Sequence, residues 1–514
     1  MKSTVARSLG IALMGLEGHV VDVQTQVGTG LVCFSIVGVS DASLRESKER
    51  VRAALQSCGI VLPDRHTTVN LSPASLHKYG SGFDLAIAMS VMAANSLVKP
   101  EAMSDTVFLA ELGLDGALRA VPGVLPCMAA ASRLGIHRAV VPTACQMEAN
   151  LVPGMEVLAC DHLAQVIAWA GGKAARPLVV GATTPVSEVK PPSAASRLDM
   201  WDVRGQAEAR FAVEVAAAGG HHLFLLGEPG SGKTMLASRL TTILPPLDHH
   251  TSVQVTAVHS VAGVLDARHG LLTQPPLQAP HHSATMPAII GGGSGIPRPG
   301  AVSLAHGGVL LLDEAAEFQP AVLDALRQPL EQGAVTVHRS GATTRYPSSF
   351  QLVLASNPCP CGMDGARHRV CTCSSIQKRR YIARLSGPLL DRIDITVRMR
   401  QPTRADLAHD SREDSETIRG RVLQARERST RRLKDTPWRV NAHVPGAWLR
   451  ERSGIEPQIL RHLDTAVEAG TLSLRGADRV LRLCWTLADL QGHATPSLSD
   501  VGKALQLRGG SVHE

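Results

Sequence analysis

Two short stretches carry residue types that act on phosphates. Residues 227 to 234 read GEPGSGKT, with glycines at Gly227, Gly230 and Gly232 and with Glu228, Pro229 and Ser231 completing the loop. Such a loop can curl so that successive backbone N–H groups face an anion, while Lys233 reaches the outer phosphates and Thr234 offers a hydroxyl to magnesium. Magnesium held there needs a second oxygen anchor. VLLLDEAAEF, residues 309 to 318, supplies one in Asp313. Its neighbour Glu314 is suited to polarise an attacking water. The two stretches together predict hydrolysis of ATP with Mg2+.

The elements that must hold these residues are legible nearby. The apolar run 222 to 226 precedes the loop and MLASRLTTIL follows it, which is strand, loop, helix in the required order. Residues 309 to 312 read as a buried strand. Residues 330 to 358 read as a β-hairpin turning at Ser340 and Gly341, then a strand ending at Asn357, which is placed to sense a γ-phosphate. Arg392, in LSGPLLDRIDI, and Arg475 and Arg479, at the start of a helical pattern, are further candidate phosphate sensors. An arginine supplied by a neighbouring subunit would make hydrolysis depend on a ring. Taken singly, each also reads as a surface salt-bridge residue.

A second constellation is sulfur-rich. Cys359 and Cys361 form one C-x-C pair and Cys371 and Cys373 another, nine residues apart. Four thiolates can close a tetrahedral Zn2+ site of a structural kind. Reduced loop thiols and an iron–sulfur centre are the other readings, and His368 between the pairs is a possible substitute ligand. The remaining cysteines, at 33, 58, 127, 145, 160 and 484, read as small core residues.

At 514 residues the chain is too long for one core. The division reads as an N-terminal α/β domain over 1–170, a Pro-, Gly- and Ser-rich connector over 171–200, an α/β core over 201–400 and a helical lid over 401–514. Net charge of +7 tilts towards an anionic partner. With 7 Phe, 5 Trp and 3 Tyr, a single-strand binder built on base stacking is poorly supported. No apolar run reaches the roughly 18 residues of a membrane span. The opening residues do not develop a signal-peptide core before Glu17, so a cytoplasmic protein with free thiols is expected.

GEPGSGKT, APHHSAT (279 to 285), GGGSGIPRPGAVSLAHGGVLLLDE (291 to 314), ASNPCPCG (355 to 362) and SGPLLDRIDI together resemble the magnesium-chelatase-like AAA+ ATPases of the YifB/ComM family. The resemblance covers nearly the whole chain. IVGVSDASLRESKERVRAAL with TVNLSPASLHKYGSGFDLAIAM looks like that family's N-terminal domain, similar in fold to the Lon protease domain. It implies a hexameric ring that acts on branched DNA and promotes branch migration during uptake of transforming DNA. It also implies Asn357 as sensor 1, Arg392 as a finger acting in trans and Arg475 as sensor 2, with Arg479 in reserve.

A Lon-type protease needs a serine activated by a lysine. Gly82 or Phe83 stands where the serine would be, and Leu125 and Pro126 near the lysine position, so proteolysis is not expected. Ser81 and Lys78 read as loop residues, and the domain as a scaffold or DNA-facing module. For sequence-independent DNA binding the leading residues are His338 and Arg339 at the hairpin tip and Arg345 on its return strand. Residues 417 to 440 carry seven Arg and one Lys against Glu427 and Asp435, which reads either as a phosphate-binding helix or as a solvated face. His281 and His282 lie in an insertion that could line a channel; as adjacent residues on an extended segment they would point apart. A motor for a metal-inserting or other protein partner, and a non-hydrolysing assembly protein, are the other function classes.

Overall fold

A computed structural model describes residues 5–29, 31–37, 42–76, 78, 80–175, 198–293, 297–339, 342–365 and 370–509. Most of the expected connector, Ser340, Gly341 and His368 lie outside the described residues.

The N-terminal half is built on a seven-stranded sheet in the order Cys33–Val37, His66–Ser72, Glu17–Gly28, Val5–Met14, Thr106–Phe108, Arg138–Pro142, Glu156–Cys160. The long hairpin of Val5–Met14 and Glu17–Gly28 is antiparallel, and alternating burial along both strands shows one face turned to the core. Helix Asp84–Ala94 is buried along nearly its whole length, as its run of Ala, Ile, Met and Val requires. The carboxylate of Asp84 within it takes the Arg50 guanidinium at 2.6 and 3.1 Å and the Leu112 amide at 3.2 Å, so the buried charge is paired.

The central sheet has five strands, all parallel: Leu277–Gln278, Val309–Leu312, Gln351–Ser356, Leu223–Gly227 and Ile395–Met399 in spatial order. Burial on both faces explains why Leu223–Gly227, Val309–Leu312 and Gln351–Ser356 read as continuous apolar runs rather than alternating ones. Helices Ala207–Gly219 and Lys233–Ile243 cover one face; the other carries Phe318, Val322, Leu323 and the hairpin Ala334–Arg339 with Ala342–Pro347. The C-terminal helices Ser415–Arg432 and Leu474–Gln491 extend the first core, with Trp485 among its fully buried side chains.

The two halves touch in several places. The amide of Gly123 donates to the Ser260 carbonyl at 3.1 Å, and the Ser260 hydroxyl donates to Glu148, which also accepts from the Leu125 amide at 2.7 Å. Leu16, at the turn of the N-terminal hairpin, packs into the apolar cluster beneath the central hairpin.

One expectation changes with the side chains in place. Cys33 is exposed on an edge strand, whereas Cys58, Cys127, Cys145, Cys160 and Cys484 are buried as read. Lys78 lies outside any helix or strand, as read, and is buried there; its ammonium donates to the Pro73 and Leu76 carbonyls, and burial lowers its pKa below the usual lysine value. The Ser81 hydroxyl is directed to Glu111.

Candidate nucleotide site and its surroundings

In an open parallel sheet, ligands bind beyond the carboxyl ends of the strands, where the strand order reverses. Here Leu223–Gly227 lies between strands that follow it late in the chain, and the loop leaving its carboxyl end is GEPGSGKT. Gly230 and Gly232 have φ of 78° and 89°, a left-handed region that side-chain-bearing residues disfavour, and this curl directs the loop into helix Lys233–Ile243. The buried Lys233 ammonium donates to the carbonyls of Gly227 at 2.7 Å and Glu228 at 3.0 Å, and to Asn357 Oδ1 at 3.1 Å. Burial lowers its pKa, opposed by the carboxylates of Asp313, Glu228 and Glu314. The Ser231 hydroxyl is buried with no hydrogen-bond partner among the described residues, as expected of a donor aimed at a ligand.

The neighbouring strand delivers the carboxylates. Thr234 Oγ1 donates to Asp313 Oδ2 at 2.6 Å, joining the two groups expected to anchor the metal. A hydroxyl beside a carboxylate is a hard oxygen donor set that fits Mg2+, whose role when bound with a triphosphate is to neutralise charge developing on the phosphates. Glu314 follows with φ of 52°, a conformation that costs a non-glycine residue on the order of 1 kcal/mol and concentrates at functional sites. Its amide donates to Asp313 Oδ1 at 2.9 Å, and its carboxylate meets His282 Nδ1 at 3.1 Å.

Sequence reasoning did not connect His282 with Glu314. The signal was topological: His282 follows Leu277–Gln278, which pairs with Val309–Leu312, so both residues leave carboxyl ends of adjacent strands. The adjacent histidines do not point apart either. Residues 281 to 284 form a turn, closed by the Ala284 amide on the His281 carbonyl, and the imidazoles lie with centroids 4.1 Å apart.

The structure thus brings together Gly227, Glu228, Pro229, Gly230, Ser231, Gly232, Lys233, Thr234, Asp313, Glu314 and Asn357. It does not bring Arg392 or Arg475 to them. Arg392 is paired with Glu331 and donates to the Pro388 carbonyl, and Arg475 faces Asp391 at 3.7 Å from an exposed position. Arg479 is buried and lies 3.7 Å from Asp394, itself paired with His221 at 3.1 Å.

The hairpin residues His338, Arg339 and Arg345 are exposed, and Thr336 stands opposite Arg345 in the ladder. The basic helix is largely committed to contacts with helix Ala207–Gly219 and with the other C-terminal helices. Arg421 binds Glu214 and Glu413, Arg426 the Ala217 carbonyl, Arg428 the Asp489 carbonyl, and Arg432 the Asp489 carboxylate with its guanidinium 4.1 Å from the Trp485 ring. Much of its +6 is neutralised or spent on main-chain acceptors.

The sulfurs of Cys359, Cys361, Cys371 and Cys373 lie within 4.8 Å of one another. Burial pushes the Cys359 thiol up to about 12, while the Met363 backbone amide pulls Cys361 down to about 6.

A parallel sheet with a phosphate loop at its carboxyl edge, an Asp–Glu pair on the adjoining strand and a helical lid define a P-loop nucleoside triphosphatase. Residues 199–407 match the family model described as magnesium chelatase, subunit ChlI; residues 23–145 match subunit ChlI of Mg-chelatase, and 412–508 its C-terminal part. The chain is 45% identical over 504 residues to "Uncharacterized protein Rv2897c" of Mycobacterium tuberculosis, with 98% of each chain covered. It is 38% identical over 485 residues to YifB of Salmonella typhimurium, covering 93% of this chain and 92% of that one. To "Competence protein ComM" of Haemophilus influenzae it is 37% identical over 501 residues, covering 97% and 96%. The chain belongs to the magnesium-chelatase-like YifB/ComM family, an AAA+-type ATPase family. A shorter likeness, 30% over 156 residues, links it to Lon protease 2 of Bacillus subtilis, covering 29% of this chain and 28% of that one. No helix among the described residues is long and apolar enough to cross a membrane.

Proposed function

We propose that this protein is a cytoplasmic, hexameric ATP-driven DNA motor that promotes branch migration of branched intermediates during recombination or natural transformation. The observation that carries the reading is the convergence of Lys233, Thr234, Asp313, Glu314 and Asn357 at one sheet edge, in a chain similar end to end to a competence protein. Lys233 and the loop amides bind the phosphates, Thr234 and Asp313 hold Mg2+, and Glu314, oriented by His282, directs water at the γ-phosphate. Asn357 senses that phosphate through its contact with Lys233.

Arg392 is the finger offered to a neighbouring subunit, a role its separation from the loop of its own chain allows, and Arg475 is the sensor arginine. His338, Arg339 and Arg345 contact the DNA backbone from the hairpin, whose cationic and histidine side chains can follow phosphates without reading bases. The functional division follows 1–170, 171–200, 201–400 and 401–514, and the four cysteines hold Zn2+. The magnesium-chelatase match favours one other reading, an ATPase that drives a metal-inserting or protein-remodelling partner.

Mixing experiments test the ring. Arg392→Ala should bind nucleotide as the wild type does and fail to hydrolyse it alone. Rings mixed with Lys233→Ala should recover part of the turnover, because the lysine variant supplies Arg392 and the arginine variant supplies an intact loop. Mixed rings as inactive as either parent would contradict action in trans.

A further inference from the structure

The cysteine cluster lies against the nucleotide site, and the two are joined by short, specific contacts. Cys359 follows Asn357 by two residues. Gly362, at the end of the first sulfur pair, has φ of 78°, and a Cβ there would lie 2.7 Å from Cγ and Cδ of Pro229 in the phosphate loop and 3.8 Å from the Asn357 carboxamide carbon. The cysteine loop therefore rests directly on GEPGSGKT.

The sulfur geometry selects a single tetrahedral ion. Cys359 lies 3.4 Å from Cys361 and 3.7 Å from Cys371, and Cys361 lies 3.6 Å from Cys371. Four thiolates at a Zn–S length of about 2.3 Å stand at tetrahedron edges of about 3.8 Å, close to these separations. A disulfide would bring sulfurs to about 2 Å. A four-iron cube gives each thiolate its own iron and spreads the sulfurs further. The surroundings suit the net negative charge of a four-thiolate zinc site: Lys378 stands near, paired with Asp364, and the capped helix Ser375–Ile382 begins directly after Cys373.

We infer that Cys359, Cys361, Cys371 and Cys373 form a structural zinc site that clamps the Asn357 loop onto Pro229, so that zinc occupancy sets nucleotide affinity. Thiolates must all be deprotonated to bind the ion, so its binding depends on pH. The inference rests on the proposed nucleotide site and not on DNA.

Zinc content and the affinity for a fluorescent ATP analogue, both measured without DNA on the full chain, test it. As isolated, the protein should carry about one zinc per chain. Removal by a zinc chelator should weaken the analogue by about tenfold or more, and returning zinc should restore it. Cys371→Ser should mimic chelation. Gly362→Ala leaves every thiolate in place; it should retain zinc and still weaken nucleotide binding, which separates the clamp from loss of fold. Protein without metal, or with iron in its place, would overturn the zinc site. Unchanged affinity after complete removal would overturn the coupling. Zinc-loaded protein that binds no nucleotide would refute the nucleotide reading along with the coupling, leaving the metal site standing.

Discussion

In the proposed reading Lys233 binds the phosphates, Glu314 directs water and His282 positions Glu314, so the three fail differently when changed. Lys233→Ala removes the cation of the cradle, and nucleotide binding should be lost in a direct titration. Glu314→Gln keeps the shape and removes the base, so binding should persist while turnover falls by about a hundredfold or more. His282→Ala leaves both but frees the Glu314 carboxylate from its 3.1 Å partner. Its signature should be a lower kcat with KM little changed, since ground-state contacts to the phosphates remain. A rise in KM with unchanged kcat would place His282 in binding.

At the scale of elements, packing decides which charges are available. Arg432 lies between the side chains of Asp489 and Asn441 and over Trp485. Arg432→Ala strands a buried carboxylate and should destabilise the lid by about 3 kcal/mol, seen as a lower unfolding midpoint. Arg431, exposed and paired with Glu427 on its own helix, should tolerate the same change. Local spacing located the phosphate loop, the acidic strand and the hairpin, because each is a contiguous segment with its own periodicity. The Glu314–His282 contact and the fate of the basic helix were not legible. Both depend on which strands become neighbours and which helix faces are covered, and that is set by pairings between residues distant in sequence. Arg475 and Arg479, four residues apart, show the same limit: one is exposed and the other buried beside Asp394.

Acid sensitivity also belongs to the elements. His306 joins the helix His249–Ala262 to the loop before Gln351–Ser356: Nδ1 accepts from the Ser349 amide at 3.1 Å and Nε2 donates to Gln254 at 3.1 Å. Burial lowers its pKa from 6.5 to about 4. A histidine depressed on folding lets the unfolded chain bind a proton first, so its contribution is intact above pH 6.5 and is lost as pH falls towards 4. Melting temperature should decline across that window, and His306→Gln should flatten the decline. An unaltered slope in the variant would assign the acid sensitivity elsewhere.

At the scale of the whole molecule, the N-terminal sheet, the central sheet and the C-terminal helices pack against one another. Leu16 supports the base of the central hairpin from the N-terminal sheet, and Ser415–Arg432 and Leu474–Gln491 share the core of the nucleotide sheet. The central sheet is thus packed against the hairpin carrying His338 and Arg339 on one face and against the C-terminal helices on the other. The most direct test of a DNA motor is dissociation of a labelled four-way junction, with ATP turnover followed on the junction, duplex and single strands. Wild-type protein should dissociate the junction only with ATP, with turnover stimulated by branched DNA, and Glu314→Gln should bind the junction without resolving it. Turnover indifferent to every DNA, with the junction left intact, would contradict the motor and direct attention to a protein or metal-inserting partner.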